Sequence, residues 1–522
     1  MSFQLTYSTM FDPPEALHRE YESALAQVQR GLGSRHVLHI DGKDCAGAQV
    51  IHKTNPANRS EVLGEFASGG PAELESALRA AHVAFPAWRA LPPARRLELL
   101  RRAGQIVQER VFAIAACLSL EVGKNRMEAI GEAQEVADFF RIYCDDYERN
   151  QCYDRALLDD PIATGTSRNR SVLRPYGAWA VIAPFNFPIA LAAGPVSAAL
   201  VCGNTVVLKG SEATPWAGRL LADCLRDAGL PPGVFNYLGG TPGELGRALV
   251  AHPLTAGVTF TGSHAVGMQI ARQVVEGPYP RPLVAEMGGK NACIVTSGAN
   301  LEHATAGIAR SAFGMCGQKC SALSRLYVHA SVADALIERL VAHIGGIRIG
   351  DPTLRENWLG PLATAGGHER YAGYHRQLSA GGARILAGAG VLHGSPHDAG
   401  WFVSPLLAEA PVDHPLWRTE MFAPILMVHR VQSNDEAMRL ANDSNVGLTA
   451  GFYGTKAEVP WFQQHIEAGV TLANRPQGAT TGAWPGYQAF AGWKGSSSTG
   501  KAIGSFYYLP QYMREQSLTV VE

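Results

Sequence analysis

The most constraining feature of the sequence is a regular alternation of strand and helix patterns between residues 178 and 313. Apolar runs typical of buried parallel strands fall at 178–183, 205–209, 234–238, 257–260, 283–285 and 292–295. Helical patterns lie between them, at 189–202, 215–228, 243–251, 265–275 and 302–313. Strands joined by crossover helices form a parallel sheet covered on both faces, so the pattern predicts a doubly wound α/β fold. Because the alternation resumes from about residue 286, we expect a second α/β domain to begin there.

The flanking segments predict a helical region and a polar excursion. Residues 15–30 and most of 71–150 show helical periodicity, whereas 37–62 favours short strands around a turn at Asp41. Residues 152–174 are polar and rich in turn-forming residues, so we expect them to leave the core.

Composition argues against several classes of protein. The 522 residues include 45 basic and 46 acidic side chains, a net charge of −1, which gives no general attraction to nucleic acid or membrane. The uncharged stretch 177–204 is long enough to span a bilayer, but its prolines favour buried strand and helix instead. Nine cysteines without a CxxC pair do not suggest a disulfide scaffold. Since the first 14 residues show no export signal, we expect a cytoplasmic protein.

Two loops that follow predicted strands carry groups suited to a dinucleotide. In the segment 260–267 (FTGSHAVG), Gly262 and Ser263 stand where a strand passes into a helix, whose N-terminal N–H groups attract phosphate. Lys209 and Glu212 follow the strand at 205–209 and can hold the two hydroxyls of a ribose. The alternatives are an ordinary turn capped by Ser263 and a solvated salt bridge in the other loop.

A glycine-flanked polar turn contains the best candidate for a nucleophile. In the segment 317–321 (GQKCS), Cys320 has a lysine and free backbone amides beside it, which favour a thiolate. Cys316 is either a passive neighbour or an oxidation partner. Glu286 ends an apolar run and precedes two glycines, so it is a candidate general base with a raised pKa. The alternative for Glu286 is an ion pair with Lys290.

A third candidate, Asn186, lies in a turn fixed by prolines. Its amide either contributes to an oxyanion hole or bonds to its own turn. From about residue 35 to the C-terminus, the chain resembles the aldehyde dehydrogenase superfamily. The motifs that carry the resemblance are 184–188 (PFNFP), 209–212 (KGSE), 260–263 (FTGS), 286–290 (EMGGK), 317–320 (GQKC) and 420–424 (EMFAP).

The resemblance implies three structural units. A Rossmann-type NAD-binding domain would comprise residues 1–151 and 175–285, and an α/β catalytic domain residues 286–474. A small β element for oligomerisation would comprise 152–174 and 495–522, so at least a homodimer is expected.

The resemblance also implies a role for each candidate. Cys320 would attack the aldehyde, Asn186 and the Cys320 N–H would stabilise the oxyanion, and Glu286 would activate the water that hydrolyses the thioester. Around the cofactor, the resemblance implies Lys209 and Glu212 at the adenosine ribose. It implies Ser263 at the pyrophosphate, with Phe260 and Gly262 in the same motif. At the nicotinamide ribose it implies Glu420, with Phe422 beside it. Because Glu212 repels a 2′-phosphate, NAD is expected rather than NADP. No metal site is expected.

Within the superfamily, the chain is most similar to the 1-pyrroline-5-carboxylate dehydrogenases, which oxidise L-glutamate γ-semialdehyde in proline breakdown. The resemblance rests on the N-terminal helix with 38–42 (LHIDG), on 317–321, and on 481–490 (TGAWPGYQAF). It implies a substrate site made of Ser321 and the backbone amides of Gly482 and Ala483 for the α-carboxylate, Glu135 near the ammonium group, and Phe185 and Phe490 as walls of the tunnel. For Glu135 the alternative is a solvated helix residue.

Two departures from the subgroup's pattern leave other functions open. Residues 489–492 read AFAG instead of PFGG, and the loop 474–480 is longer than usual. The alternatives are therefore another semialdehyde or a broad aldehyde range. A catalytically silent relative and a cofactor-free thiol hydrolase are disfavoured, because the catalytic side chains and the cofactor motifs are both present.

Overall fold

The computed structural model describes residues 5–162, 164–240 and 243–522. Its N-terminal region packs a group of helices beside short strands. The elements are α1 (Glu15–Arg30), β1 (Ser34–His36), β2 (Leu38–Ile40), β3 (Lys43–Cys45), β4 (Gln49–Asn55), β5 (Asn58–Ser68), α2 (Pro71–Ala90), α3 (Pro93–Glu109), α4 (Val111–Val122) and α5 (Arg126–Arg149).

The predicted alternation of strands and helices follows, and it forms a doubly wound sheet. Its elements, with two preceding short strands, are β6 (Asp154–Ala156), β7 (Ser167–Pro175), β8 (Ala178–Ile182), α6 (Ala190–Val201), β9 (Thr205–Gly210), α7 (Pro215–Asp227), β10 (Phe235–Gly240), α8 (Gly243–Ala251), β11 (Thr255–Gly262), α9 (His264–Val275) and β12 (Leu283–Met287). The described strands run in the order β1-β5-β10-β9-β8-β11-β12, and those from β10 to β12 are parallel. The sequence prediction of a doubly wound α/β fold is confirmed.

The uncharged stretch 177–204 folds into the centre of this sheet and the helix beside it. β8 and α6 are buried over nearly their whole lengths. Buried elements need no polar face, which explains the absence of charged residues. Across the part of the chain that the structure describes, no helix is long and apolar enough to cross a membrane.

A second sheet with its own core follows. Its elements and the remaining ones are β13 (Asn291–Val295), α10 (Leu301–Phe313), β14 (Leu323–His329), α11 (Ala330–Gly345), α12 (Ala365–Ala380), β15 (Arg384–Ala387), β16 (Leu406–Glu409), β17 (Ile425–Val431), α13 (Asn434–Asn442), β18 (Val446–Gly447), β19 (Thr449–Tyr453), α14 (Val459–His465), β20 (Val470–Ala473), β21 (Trp493–Lys494) and β22 (Met513–Val521). The described strands of this sheet run in the order β15-β16-β17-β14-β13-β19-β20.

The polar excursion forms a small sheet with the C-terminal strand, in the order β22-β7-β6. The register runs from Met513 opposite Pro175 to Val521 opposite Ser167. Residues just before β22 do not join this sheet, because Tyr512 packs in the core against Trp179 of β8. β12 extends through Met287, so the predicted start of the second domain at residue 286 falls inside a strand of the first sheet.

A buried ion pair fixes the start of α6 to α5. Glu132 pairs with Lys124, and neither side chain has exposed surface. The same carboxylate accepts hydrogen bonds from the backbone N–H groups of Ile189 at 3.0 Å and Ala190 at 3.1 Å. Helix N-termini leave such N–H groups without intrahelical partners, and an acidic side chain satisfies them well. This contact fixes the end of the 184–188 turn, which contains Asn186.

Candidate active site

The predicted nucleophile, Cys320, lies in a tight turn between α10 and β14, at the wall of a cavity. Met315 and Cys316 begin the turn with left-handed backbone, φ 52° and 53°, and Gly317 follows at φ 63°. A Cβ on Gly317 would lie 2.3 Å from the carbonyl oxygen of Ala423, so this close approach requires glycine. The turn presents Cys320 and Ser321 to the same cavity.

The surroundings of Cys320 keep its thiol protonated at rest. Burial raises the pKa of the thiol, and the carboxyls of Glu286 and Glu420 raise it further. The backbone N–H groups of Ser321 and Cys320 act in the opposite direction. Lys319, expected from the sequence to favour a thiolate, instead pairs with Glu128 at 2.8 Å. A nucleophilic role would therefore require the thiol to lose its proton during the attack.

Asn186 reaches the nucleophile turn from the loop after β8. Its buried amide Nδ2 donates to the carbonyl oxygen of Gln318 at 3.0 Å. This contact joins residues 132 positions apart, so Asn186 does more than stabilise its own turn. The amide is held two residues before Cys320, where it can turn toward an oxyanion on the carbon that Cys320 attacks.

Glu286 lines the cavity together with Cys320, near the end of β12. Burial raises the pKa of its carboxyl to about 8. The alternative ion pair with Lys290 is not formed. The Lys290 ammonium is buried without a hydrogen-bond partner among the described residues, and its favourable charge interaction is with Glu420. A carboxyl without an ion-pair partner beside a nucleophile is suited to general base catalysis.

The carboxyl ends of β8, β9 and β11 meet at the point where the strand order reverses, which is where doubly wound sheets bind nucleotides. Lys209, at the end of β9, is buried, and its ammonium donates to the Gly210 carbonyl at 3.1 Å. Burial lowers its pKa, while the Glu212 carboxylate raises it. Two of its N–H donors have no acceptor among the described residues, so they remain available for ribose hydroxyls.

The turn after β11 leaves backbone donors free. Ser263 caps α9, its hydroxyl accepting from the Val266 N–H at 3.4 Å. A Cβ on Gly262 would lie 2.5 Å from the Phe260 ring, so glycine is required between strand and cap. Both the cap expected as the alternative and an anion site fit this geometry, because the N–H groups of His264 and Ala265 stay unpaired in the described structure.

Glu420 closes the cofactor crevice from the second sheet. Its carboxylate accepts from the Gly289 N–H at 3.1 Å, and burial raises its pKa to about 7. A Cβ on Gly288 would lie only 2.0 Å from this carboxylate. The cradle therefore depends on the two glycines after Glu286. Phe422 adopts a left-handed backbone at φ 51° and packs edge-on against Phe185 at 5.7 Å.

The wall of the aldehyde cavity differs in part from the prediction. Phe490 lines the cavity, as expected, but Phe185 contacts Phe422 and is not among the lining residues described. Phe187, two positions further along the same turn, lines the cavity instead. The chain bends at residues 185–187, so the two side chains do not follow the alternation of a strand, and the sequence gives no means of choosing between them.

The residues of the predicted carboxylate anchor line the cavity and carry donors without a partner among the described residues. Gly482, at φ 104°, and Ala483 line it beside Ser321. No acceptor for either backbone N–H, or for the Ser321 hydroxyl, occurs in the described parts of the chain. Arg475 holds the loop by donating to the carbonyls of Thr481 at 3.1 Å and Gly482 at 3.2 Å. Two successive free amides are suited to binding an anion.

Glu135 lines the opposite part of the cavity and is buried, not solvated. It accepts a hydrogen bond from the Tyr7 hydroxyl at 2.9 Å, and burial raises its pKa to about 8. Tyr7, Glu128 and Arg310 also line the cavity, and sequence analysis identified none of them. Helical periodicity marked Glu128 and Arg310 only as helix residues, and Tyr7 precedes the first predicted element.

The surroundings of Cys316 disfavour a role in redox chemistry. It is buried in the core of the second domain, and its thiol donates to the Gly360 carbonyl at 3.1 Å. Burial raises its pKa, which disfavours the reactive thiolate. The structure thus favours the passive alternative for this residue. The nine cysteines are all free thiols.

Comparison with known proteins identifies the family of the chain. The model of the aldehyde dehydrogenase family matches residues 43–518. The chain belongs to the aldehyde dehydrogenase family. Two relatives are named 1-pyrroline-5-carboxylate dehydrogenase. One, from Geobacillus thermodenitrificans, is 34% identical over 519 residues, or 97% of each chain. The other, from Halalkalibacterium halodurans, is 33% identical over 499 residues, or 94% of each chain.

A solved aldehyde dehydrogenase structure shares the fold over the whole chain. It is that of 1-pyrroline-5-carboxylate dehydrogenase from Thermus with bound NAD, with a TM-score of 0.93 and 32% sequence identity. The match covers 100% of this chain and 99% of that one. The crevice between the two sheets of this aldehyde dehydrogenase is therefore its candidate dinucleotide-binding site.

Proposed function

We propose that the protein oxidises L-glutamate γ-semialdehyde, the open form of 1-pyrroline-5-carboxylate, to L-glutamate with NAD, in proline catabolism. One observation supports this substrate above all: Gly482 and Ala483, whose backbone N–H groups have no acceptor among the described residues, line the cavity of Cys320. They offer a carboxylate site within the reach of a small aldehyde. The buried carboxyl of Glu135 suits the ammonium group. The names of the relatives point to the same reaction.

The reaction begins with attack of the Cys320 sulfur on the aldehyde carbon. The thiol proton passes to solvent as the C–S bond forms, and Glu286, which lines the same cavity, stays available for the later step. Negative charge then develops on the former carbonyl oxygen. The Cys320 N–H and the Asn186 amide stabilise this oxyanion, the latter by exchanging its bond to Gln318 for one to the substrate.

Oxidation and hydrolysis are separated by a thioester on Cys320. The chemistry that NAD supplies when bound is acceptance of a hydride from the hemithioacetal carbon. Glu286, as the carboxylate, removes a proton from the water that attacks the thioester carbon. The C–S bond breaks, the thiol of Cys320 is restored, and L-glutamate leaves with the oxygen from water.

The residues around the cofactor crevice fit a dinucleotide with a free 2′-hydroxyl. Lys209 and Glu212 would hold the adenosine ribose, the start of α9 at Ser263 the pyrophosphate, and Glu420 the nicotinamide ribose. The Glu212 carboxylate would repel a 2′-phosphate, so NAD is preferred over NADP. The fit rests on the unpaired N–H donors of the buried Lys209 and on the cradle at Gly288.

The assembly and location are part of the same proposal. One end of the sheet β22-β7-β6 and the segment that follows β6 expose apolar side chains, including Val521 at 59% and Leu158 at 92%. Such a cluster favours burial against a second copy, so the protein is at least a homodimer. Nine free thiols suit a reducing compartment, the cytoplasm.

Turnover with pure protein tests the function. Protein, NAD and pyrroline-5-carboxylate are mixed, and the absorbance of the reduced cofactor is followed, with NADP as the parallel arm. We expect turnover with NAD and L-glutamate as the product. Turnover of simple aldehydes without turnover of pyrroline-5-carboxylate would contradict the proposal and favour the broader aldehyde range.

A further inference from the structure

A half-buried guanidinium lies in the cavity wall without a carboxylate partner among the described residues. Arg310, in the last turn of α10, lines the same cavity as Cys320. Burial lowers its pKa, and the opposing influence comes from Tyr453 and not from any described Asp or Glu. An arginine keeps its charge in proteins, so the cavity holds a cation without a paired anion.

The contacts of Arg310 orient the guanidinium without satisfying it. Nη1 donates to the carbonyl oxygen of Pro476 at 2.9 Å. The Phe11 ring stacks on the guanidinium, with its centroid 3.6 Å from Cζ. Of the five N–H groups of an arginine, the remaining ones have no acceptor in the described structure.

Arg310 stands directly beside the loop with the free amides. The hydroxyl of the next residue, Ser311, accepts from the Thr480 N–H at 3.1 Å. The Thr480 hydroxyl in turn donates to the Ser321 carbonyl at 2.7 Å. These bonds fix the end of α10, the 480–483 loop and the residue after the nucleophile in one unit.

The other cations near the cavity are already committed. Lys319 pairs with Glu128 at 2.8 Å. Arg475 donates to Thr481, Gly482 and Ser8, and is not among the described lining residues. Arg310 is thus the cationic side chain in the described cavity wall whose charge is left for a ligand.

We propose that Arg310 is a specificity-determining residue that binds the carboxylate of the aldehyde substrate, beside the amides of Gly482 and Ala483. The planar guanidinium matches a carboxylate with two parallel N–H donors, and its charge adds to the neutral amide site. The protein thereby selects aldehydes of carboxylic acids over neutral aldehydes. This inference deepens the proposed function and rests on it for the identity of the natural substrate.

Steady-state kinetics on matched substrates test the role of Arg310. Arg310→Gln, Arg310→Lys and the wild-type protein are compared on glutamate γ-semialdehyde, succinic semialdehyde and butanal. Loss of a charged hydrogen bond raises KM for the two semialdehydes about 10- to 100-fold in Arg310→Gln. The kcat of Arg310→Gln for the semialdehydes and its kcat/KM for butanal stay within about 2-fold of the wild-type values. The KM of Arg310→Lys for the semialdehydes lies between those of Arg310→Gln and wild type.

Arg339→Gln, which removes an exposed arginine of the next helix, α11, serves as the control and matches wild type. Melting temperatures establish that each variant folds. If Arg310→Gln does not fold, the comparison of Arg310→Lys with wild type provides the test. An equal loss on butanal and the semialdehydes, or no loss on any, overturns the inference. If the wild-type protein does not oxidise glutamate γ-semialdehyde, while its oxidation of succinic semialdehyde depends on Arg310, the proposed function fails and this inference stands.

Discussion

Three carboxyl groups of the described residues line the cavity, and their surroundings differ. Glu128 is neutralised by Lys319, whereas Glu135 and Glu286 have pKa values raised to about 8 by burial. Glu135 is engaged by Tyr7, so its orientation is fixed. Glu286 has no such partner in the described structure, which leaves it free to take a proton.

The pH dependence of turnover should follow Glu286. Its carboxyl must be ionised to act as a base, and the ionised fraction increases as pH rises through its pKa of about 8. Thioester hydrolysis should therefore speed up with pH across that value and level off above it. Glu286→Gln should remove the rise and accumulate acyl-enzyme after one burst of reduced cofactor, seen by stopped flow. Glu338→Gln, which changes an exposed residue of α11, is the control and should keep the rise with pH. A pH profile of Glu286→Gln that equals that of wild type would show that another group is the base.

Cys320→Ala should separate chemistry from cofactor binding. Without the thiol no thioester forms, so dehydrogenation should fall by at least about 10³-fold. NAD binding, measured by calorimetry, should change little, because the crevice residues are untouched. Cys45→Ala, in β3, is the control and should stay active. Normal turnover in Cys320→Ala would show that Cys320 is not the nucleophile.

At the scale of elements, regular patterns predicted structure well and single contacts poorly. α1 begins and ends where the periodicity of 15–30 places it, and α8 likewise matches 243–251. The pairing of Lys319 with Glu128 and of Tyr7 with Glu135 joins residues 191 and 128 positions apart. Periodicity reports which face of an element is buried and says nothing about which distant side chain meets it.

The loop that carries the carboxylate site should depend on glycine at 482. Its backbone has φ 104°, and a Cβ there would lie 2.8 Å from the Arg475 guanidinium. Gly482→Ala should move the amides and raise KM for a carboxylate-bearing aldehyde about 10-fold, with little effect on butanal. Gly373→Ala, in α12 where a Cβ meets open space, is the matched control. Unchanged KM in Gly482→Ala would mean that the amides do not contact the substrate.

The junction of α5 and α6 should be a main source of stability. Glu132→Ala leaves the buried Lys124 ammonium without a counter-charge and two N–H groups of α6 without their acceptor. The free energy of unfolding should fall by about 3–5 kcal/mol in a urea titration. Glu128→Ala, which breaks the partly accessible pair with Lys319, should cost less. A loss below about 1 kcal/mol in Glu132→Ala would contradict this account.

At the scale of the whole molecule, the active site is assembled from segments that span nearly the entire chain. Tyr7, Glu135, Glu286, Cys320 and Gly482 line one cavity. The resemblance to the aldehyde dehydrogenases implied that Glu135, Glu286, Cys320 and Gly482 would belong to one site. Residues before α1, such as Tyr7, also line the cavity. The sequence did not predict this, because that segment has neither periodicity nor a recognisable motif.

Assembly should depend on the apolar end of the three-stranded sheet. Leu158→Asp places a charge on a side chain that is 92% exposed in the single chain and, as proposed, buried in the oligomer. We expect a smaller mass by size-exclusion chromatography with light scattering. Val83→Asp, on α2 at 76% exposure, is the matched control and should leave the mass unchanged. An unaltered oligomer in Leu158→Asp would place the interface elsewhere.

The unpaired carboxyl of Glu286 also bears on how such an enzyme can be engineered. Its pKa is raised to about 8 because folding penalises the ionised form, so the carboxyl weakens the native state near neutral pH. Directed evolution that scores only heat resistance would therefore favour replacing this residue, and the most robust clones would be inactive. A library built on this scaffold needs a selection for turnover in every round.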